Sequence, residues 1–157
     1  MSLIGQVHLG LAIVALVSGA VVVALVKGTG MHRLFGFLYA TSMLGVNGSA
    51  LLLYNLTGSF GPFHVLALIS LSTVAVGVVY ALLRVPKEAW VISHAYWMSW
   101  SYVGLVAAAA SEAVTRLPTA PFWWAVLLAS VVVVGVGGWV ISTTVPRSIR
   151  EYFSGRP

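Results

Sequence analysis

Five long apolar runs, separated by short polar breaks, constrain the fold of this chain more than any other feature of its sequence. A helix needs about 20 mostly apolar residues to cross a hydrocarbon core about 30 Å thick. Each run meets that need, and only 7% of the 157 residues are charged, far too few for a water-facing surface. The predicted spans are residues 3–26, 34–54, 63–83, 89–110 and 122–145.

The connections between these runs are short, so consecutive helices are predicted to be antiparallel neighbours. The sequence therefore predicts an all-α, polytopic membrane protein with five transmembrane helices. Residues 1–117 would form an up-and-down four-helix bundle, and residues 118–157 a fifth helix with a basic cytoplasmic tail. The N-terminus has no basic region before its first apolar run, so we interpret that run as a retained span rather than a signal peptide.

Orientation follows from the basic residues, which stand at the ends of the apolar runs. Seven of the eight fall on one side of the predicted membrane, and Arg116 alone falls on the other. The N-terminus is therefore predicted outside and the C-terminus in the cytoplasm. This distribution indicates membrane topology and no nucleic-acid partner. The seven are Lys27, Arg33, Arg84, Lys87, Arg147, Arg150 and Arg156.

The four histidines fall one at an end of each of the first four spans, with His32 just before the second, and they alternate between the two membrane faces. His8 and His64 are predicted near the outer face, and His32 and His94 near the inner face. An ionisable side chain within a span indicates a functional site, because lipid leaves an unpaired polar group costly. Helices 1 and 3 lie on one diagonal of a four-helix bundle, and helices 2 and 4 on the other, so each pair faces across the core.

Helical phase supports an inward direction for these side chains, at about 100° of turn per residue. Small or polar residues share the face of three of the histidines, as expected for helix surfaces turned away from lipid. The predicted faces are Gly5, Ala12, Ala15 and Gly19 with His8; Gly36, Met43 and Asn47, beside Tyr39, with His32; Leu68, Leu71 and Ala75 with His64; and Ser101, Ala108 and Glu112 with His94.

A planar macrocycle between two axial imidazoles needs this diagonal placement. The leading hypothesis is a membrane electron-transfer protein that binds b-type haem, with an outer pair, His8 and His64, and an inner pair, His32 and His94. The architecture resembles that of diheme b-type cytochromes. Ligation by His32 and His64 requires either that they lie at the headgroup boundary or that their helices begin earlier than predicted. The supporting residues would be Asn47, Gly36, Arg33 and Trp97.

Two alternatives come from other classes of protein. His8, His64 and Glu112 could hold zinc with a position open for water, which would make a membrane hydrolase. An ion pair between Glu112 and Arg116, one turn apart, is a simpler account of that carboxylate. The chain has no cysteine, so thiolate ligands and cysteine nucleophiles are excluded.

The other alternative is a non-catalytic accessory subunit that packs on a larger membrane complex or redox partner through the fifth helix. Small residues allow membrane helices to approach closely, and the inner half of that helix has three glycines. They are Gly135, Gly137 and Gly138.

Short motifs add a family resemblance. HAYWM at residues 94–98 is followed by Ser-Tyr at 101–102 and later by Arg116, and MHRLFG at 31–36 is followed by Tyr39. This pattern resembles one family of small bacterial multi-pass membrane proteins, catalogued only as a domain of unknown function. The resemblance covers about the first 117 residues and implies a four-helix unit with histidines inside a bacterial inner membrane. It implies no activity, and it makes the fifth helix an addition to the family unit.

Overall fold

The computed structural model describes residues 2–54, 58–87, 89–116 and 121–154, and the regular structure in those ranges is entirely helical. Arg156 and the predicted boundary between residues 117 and 118 lie outside the described residues. The division of the chain into two parts at that boundary stays a prediction. The helices are α1 (Leu3–Ala24), α2 (Gly30–Ala50), α3 (Pro62–Leu83), α4 (Trp90–Thr115) and α5 (Phe122–Ser154).

The first four helices pack in a ring, because each contacts the next and α4 also contacts α1, while α5 packs on α4. Hydrogen bonds between helix ends show how neighbouring helices run relative to each other. His8, near the start of α1, bonds Ser49 near the end of α2. Ser111, near the end of α4, donates to the Val126 carbonyl near the start of α5. These pairs are therefore antiparallel. We name the end at which α1 begins the outer end, after the predicted orientation, and the opposite end the inner end.

Apolar side chains cover the outside of this structure as well as its core. Leu34 and Val131, for example, are 60% and 59% exposed. Such a surface suits lipid rather than water. Among the described residues, three helices, α1, α3 and α5, are long and apolar enough to cross a membrane. The buried core cluster takes residues from each of the first four helices: Ala15, Tyr39, Met43, Val46, Val74 and Leu105.

The helices differ in extent from the apolar runs. α2 begins at Gly30 rather than residue 34, because the Thr29 hydroxyl accepts from the backbone N–H of His32 and caps the helix there. His32 therefore lies inside α2, which is one of the two positions that its predicted role allowed. The prediction that the last helix ends at residue 145 is wrong, since α5 continues through Pro146. A proline removes one helical hydrogen bond, a loss that membrane helices accommodate.

The predicted inward face of α3 is also wrong by about one residue. His64 is buried as expected, but Leu68 and Ala75 are exposed. The helix instead buries Ala67, Val74 and Gly77. On the other faces, Ala15, Gly19, Tyr39, Met43, Asn47 and Ser101 are all buried, as their phase predicts.

The inner end of α5 lies against the loop between α1 and α2. Gly28 has φ +80°, and a methyl group added there would lie 2.8 Å from a carbon of the Tyr152 ring. Glycine adopts this backbone conformation without strain and leaves room for the ring. Beside it, Lys27 Nζ donates to three carbonyl oxygens near the end of α1. Burial lowers the pKa of Lys27, and the nearby Glu151 carboxylate opposes that shift.

Candidate functional site

The structure brings the inner histidine pair together. The ring centroids of His32 and His94 lie 6.5 Å apart, and the two planes are nearly perpendicular, at 83°. The helices that carry them, α2 and α4, have no close backbone contact with each other in the ranges that the structure describes. The two imidazoles therefore meet across the diagonal of the ring of helices, as the sequence predicts.

The orientation of His94 is fixed by α3. Its Nδ1 lies 2.8 Å from the Gly77 carbonyl oxygen, which can only accept, so Nδ1 carries the proton. Nε2 then holds the lone pair of the neutral ring. Gly77 permits this close approach, because a methyl group there would lie 2.6 Å from Met98 Sδ and 3.3 Å from the Met98 backbone nitrogen.

His32 completes the inner pair with an unpaired nitrogen. Its Nδ1 is buried and has no hydrogen-bond partner within the described part of the chain. The inner end thus presents the lone pair of His94 Nε2 and the buried, unpartnered Nδ1 of His32.

The outer pair differs in its hydrogen bonds. His8 Nδ1 lies 2.9 Å from Ser49 Oγ, whose own hydrogen goes to the Gly45 carbonyl at 2.6 Å. His8 Nδ1 is therefore the donor in that bond, and its Nε2 keeps a lone pair. The partner of His8 is on α2, and α1 has no close backbone contact with α3 among the described residues.

His64 has the opposite arrangement. It is only 2% exposed, and its Nδ1 accepts the Gly61 backbone N–H at 3.1 Å as a cap of α3. The proton of the neutral ring then stands on Nε2, which is buried and unpartnered in the described chain. The rings of Tyr54 and Phe60 flank it, with centroids 4.6 and 5.1 Å away. In this conformation His64 offers a donor and no free lone pair for a metal.

The proposed zinc ligands are not gathered into one group. Glu112 forms an ion pair with Arg116, one turn on, and both side chains are partly exposed. Within the described ranges, no set of three or more histidine or carboxylate residues is placed to hold a metal ion. The structure thus gives the zinc hypothesis no support from geometry.

The four supporting residues lie in different surroundings. Asn47 is 3% exposed, with Nδ2 unpartnered in the described chain. Arg33 is exposed, and Trp97 is 39% exposed. A methyl group at Gly36 would meet nothing within 4 Å. Asn47 is thus the member of this set that faces the interior.

A polar contact that the sequence reasoning missed lies between the two histidine levels. The hydroxyls of Tyr39 and Ser101 are 2.9 Å apart, and Ser101 donates to the Met98 carbonyl, so Tyr39 donates to Ser101. Tyr39 lies seven residues after His32, and Ser101 seven after His94, so α2 and α4 meet twice in the same register. This shared spacing was the available sequence signal, since seven residues make about two turns.

We expect Ser101→Ala to destabilise the protein by about 1–3 kcal/mol, because it leaves the buried Tyr39 hydroxyl without an acceptor. Tyr39→Phe should cost less, since Ser101 keeps its bond to Met98. The double variant should be more stable than Ser101→Ala alone. Thermal unfolding in a mild detergent measures all three. Equal losses of stability in Ser101→Ala and in the double variant would show that the unpaired Tyr39 hydroxyl does not cause the destabilisation.

A helical structure with an apolar exterior and histidines in its interior defines an integral membrane protein. Over residues 5–149 the chain matches the family described as "Predicted membrane protein (DUF2306)", and it belongs to this family. No curated protein and no solved structure gives a match.

The extent of the family match corrects one expectation. Residues 5–149 include most of α5, so the expectation that the resemblance ends near residue 117 is wrong. The contacts agree with this result. Ser111 of α4 bonds both the Val126 carbonyl and the Ser130 hydroxyl of α5. The fifth helix is thus part of the family unit and packs on it through buried polar contacts.

Proposed function

We propose that this protein is an electron-transfer protein of the bacterial inner membrane that binds b-type haem through His32 and His94. In this proposal all five helices cross the membrane, with the N-terminus outside and the C-terminus in the cytoplasm. α1, α3 and α5 have the apolar length to do so, and α2 and α4, which carry the two ligands, pack with them.

The spacing and hydrogen bonding of the inner pair carry the proposal. Two imidazoles on opposite sides of one metal ion have ring centroids roughly 6 Å apart, because each metal–nitrogen bond is about 2.0 Å long. The observed separation is 6.5 Å. His94 has its proton directed to Gly77, and the buried His32 Nδ1 has no partner in the described chain. Ligation would satisfy a nitrogen that is otherwise costly to bury.

The chain's own residues prepare this site in two ways. The Gly77 carbonyl fixes the ring orientation and tautomer of His94, a role that partners of metal-bound histidines commonly have. The buried Nδ1 of His32, which has no partner in the described chain, provides the second nitrogen. A haem with two histidine ligands supplies one-electron transfer without a position open to substrate.

A second haem between His8 and His64 stays a prediction. It requires the His64 ring to give up the Gly61 N–H, since Nδ1 must then carry the proton instead of accepting one. The inner pair needs no such change. We therefore expect about one haem per chain rather than two.

The test is the absorption spectrum of the protein purified from a host that supplies haem, reduced minus oxidised, with haem extracted and counted per chain. A reducible spectrum of bis-histidine type and about one haem per chain would support the proposal. Colourless protein from a haem-replete host would end it. Addition of haem to that colourless protein, followed by gel filtration, checks that the host was not limiting.

A further inference from the structure

Two buried N–H donors lie without partners near the outer end. They are Nε2 of His64 and Nδ2 of Asn47, on side chains that are 2% and 3% exposed. A buried donor without an acceptor costs about 1–3 kcal/mol, and native structures rarely leave one. Two of them at one end of the structure therefore indicate a missing acceptor.

The two side chains are at the same level of adjacent helices. α2 packs on α3. Asn47 is three residues from the end of α2, and His64 is the third residue of α3. At about 1.5 Å per residue, each lies roughly 3–5 Å from its helix end. Both side chains are also buried in the interior, at 3% and 2% exposure.

The character of the two nitrogens selects the kind of acceptor. His64 Nε2 carries a proton because its Nδ1 accepts from Gly61, and an amide nitrogen only donates. A water molecule could accept both hydrogen bonds, but its own two hydrogens would then need acceptors. The buried side-chain atoms left unpartnered at this end of the described chain are both donors. A carbonyl oxygen accepts two bonds and has no hydrogen to place.

Charge and surroundings narrow the ligand further. Arg116, the basic residue that the sequence assigns to this face, is already paired with Glu112, so the described residues at this end offer no unpaired lysine or arginine to attract an anion. The rings of Tyr54 and Phe60 lie against His64 and favour a flat, apolar partner. A molecule that reaches buried donors within an apolar helical structure has to be soluble in lipid.

We propose that His64 and Asn47 donate hydrogen bonds to a ring carbonyl of a lipid-soluble quinone. Two N–H groups from adjacent helices fix the carbonyl, and the aromatic rings beside His64 contact the quinone ring. This binding does not depend on haem at the inner pair, so either proposal can fail without the other.

The experiment is photolabelling of the full-length protein in lipid nanodiscs with an azido-quinone, in competition with unlabelled decylubiquinone. The part of the labelling that decylubiquinone prevents should fall at least about tenfold in His64→Phe and in Asn47→Leu, since each loses a buried donor. His64→Gln keeps an N–H and should retain part of it. Gly48→Ala is the matched control, because a methyl group there meets nothing within 4 Å. Gel filtration confirms that each variant folds.

Two outcomes would overturn the proposal. If unlabelled quinone does not reduce the labelling, or if all variants are labelled equally, the azido-quinone has only partitioned into lipid. A buried water would then be the acceptor for the two donors. The second outcome comes from the haem content of the variants. His64→Phe should keep the wild-type haem content, and loss of one haem per chain would make His64 a ligand rather than a donor. A wild-type protein without haem would leave the labelling result unaffected.

Discussion

His94→Leu is expected to remove nearly all of the bound haem, and His32→Leu should do the same. In the proposed ligation, each change takes away one of two axial nitrogens, and the remaining imidazole cannot hold the group in bis-histidine geometry. Leucine is apolar and fills a similar volume, so the helices should still pack. The measurement is haem per chain in the purified variants, with the reduced-minus-oxidised spectrum.

A methionine separates ligation from a purely structural role. Methionine also binds haem iron, so His94→Met should retain haem with a changed spectrum and a higher reduction potential. A structural role for the imidazole would give no such shift. His8→Leu, at the other end, should leave the inner site intact and serves as the matched control. Wild-type haem content in His94→Leu would contradict the assignment of the inner pair.

Gly19→Ala is expected to destabilise the protein by about 1–3 kcal/mol, because overpacking forces rigid side chains apart. The added methyl group would lie 2.5 Å from two ring carbons of Tyr102 and 3.0 Å from the Tyr39 ring. Both rings are held by hydrogen bonds, Tyr39 to Ser101 and Tyr102 to the Leu16 carbonyl. Neither can move without losing one.

Gly10→Ala provides the control on the same helix. A methyl group there meets nothing within 4 Å, and alanine favours a helix over glycine by up to about 1 kcal/mol. We therefore expect Gly10→Ala to be neutral or stabilising. Thermal unfolding of both variants in the same detergent gives the comparison. Equal stability of the two would show that α1 does not depend on close packing at Gly19.

Hydrophobic length was sufficient to predict five helices, because lipid requires long apolar runs whatever their packing. Hydrophobic length was not sufficient to predict the residues at which the helices begin and end. The first residues of α2, Gly30 to Arg33, include a histidine and an arginine and fall outside the apolar run. The capping threonine before them, Thr29, was the available signal. Pro146 misled in the opposite direction, because the rule that proline ends a helix holds less strictly within membranes.

The pairing of His32 with His94 could be predicted from the order of the helices, since alternate spans lie on a diagonal. The difference between the two histidine pairs could not. Which ring nitrogen carries the proton depends on a neighbouring group, the Gly77 carbonyl for His94 and the Gly61 N–H for His64. The Gly77 contact has no sequence pattern of its own, because it depends on how α3 packs on α4. The Gly61 contact is a local helix cap, and Pro62 at the first helical position was the available signal for it.

The contact between Tyr152 and Gly28 bears on the order in which the protein assembles. During translation the first loop leaves the ribosome early, whereas the inner end of α5 emerges after the other four helices. The tyrosine can therefore reach the loop only after α1 to α4 have been synthesised. That loop includes Lys27, whose Nζ donates to three carbonyl oxygens near the end of α1. Until α5 is in place, the loop lacks its contact with Tyr152, and in the haem proposal this is the interval in which the cofactor would enter.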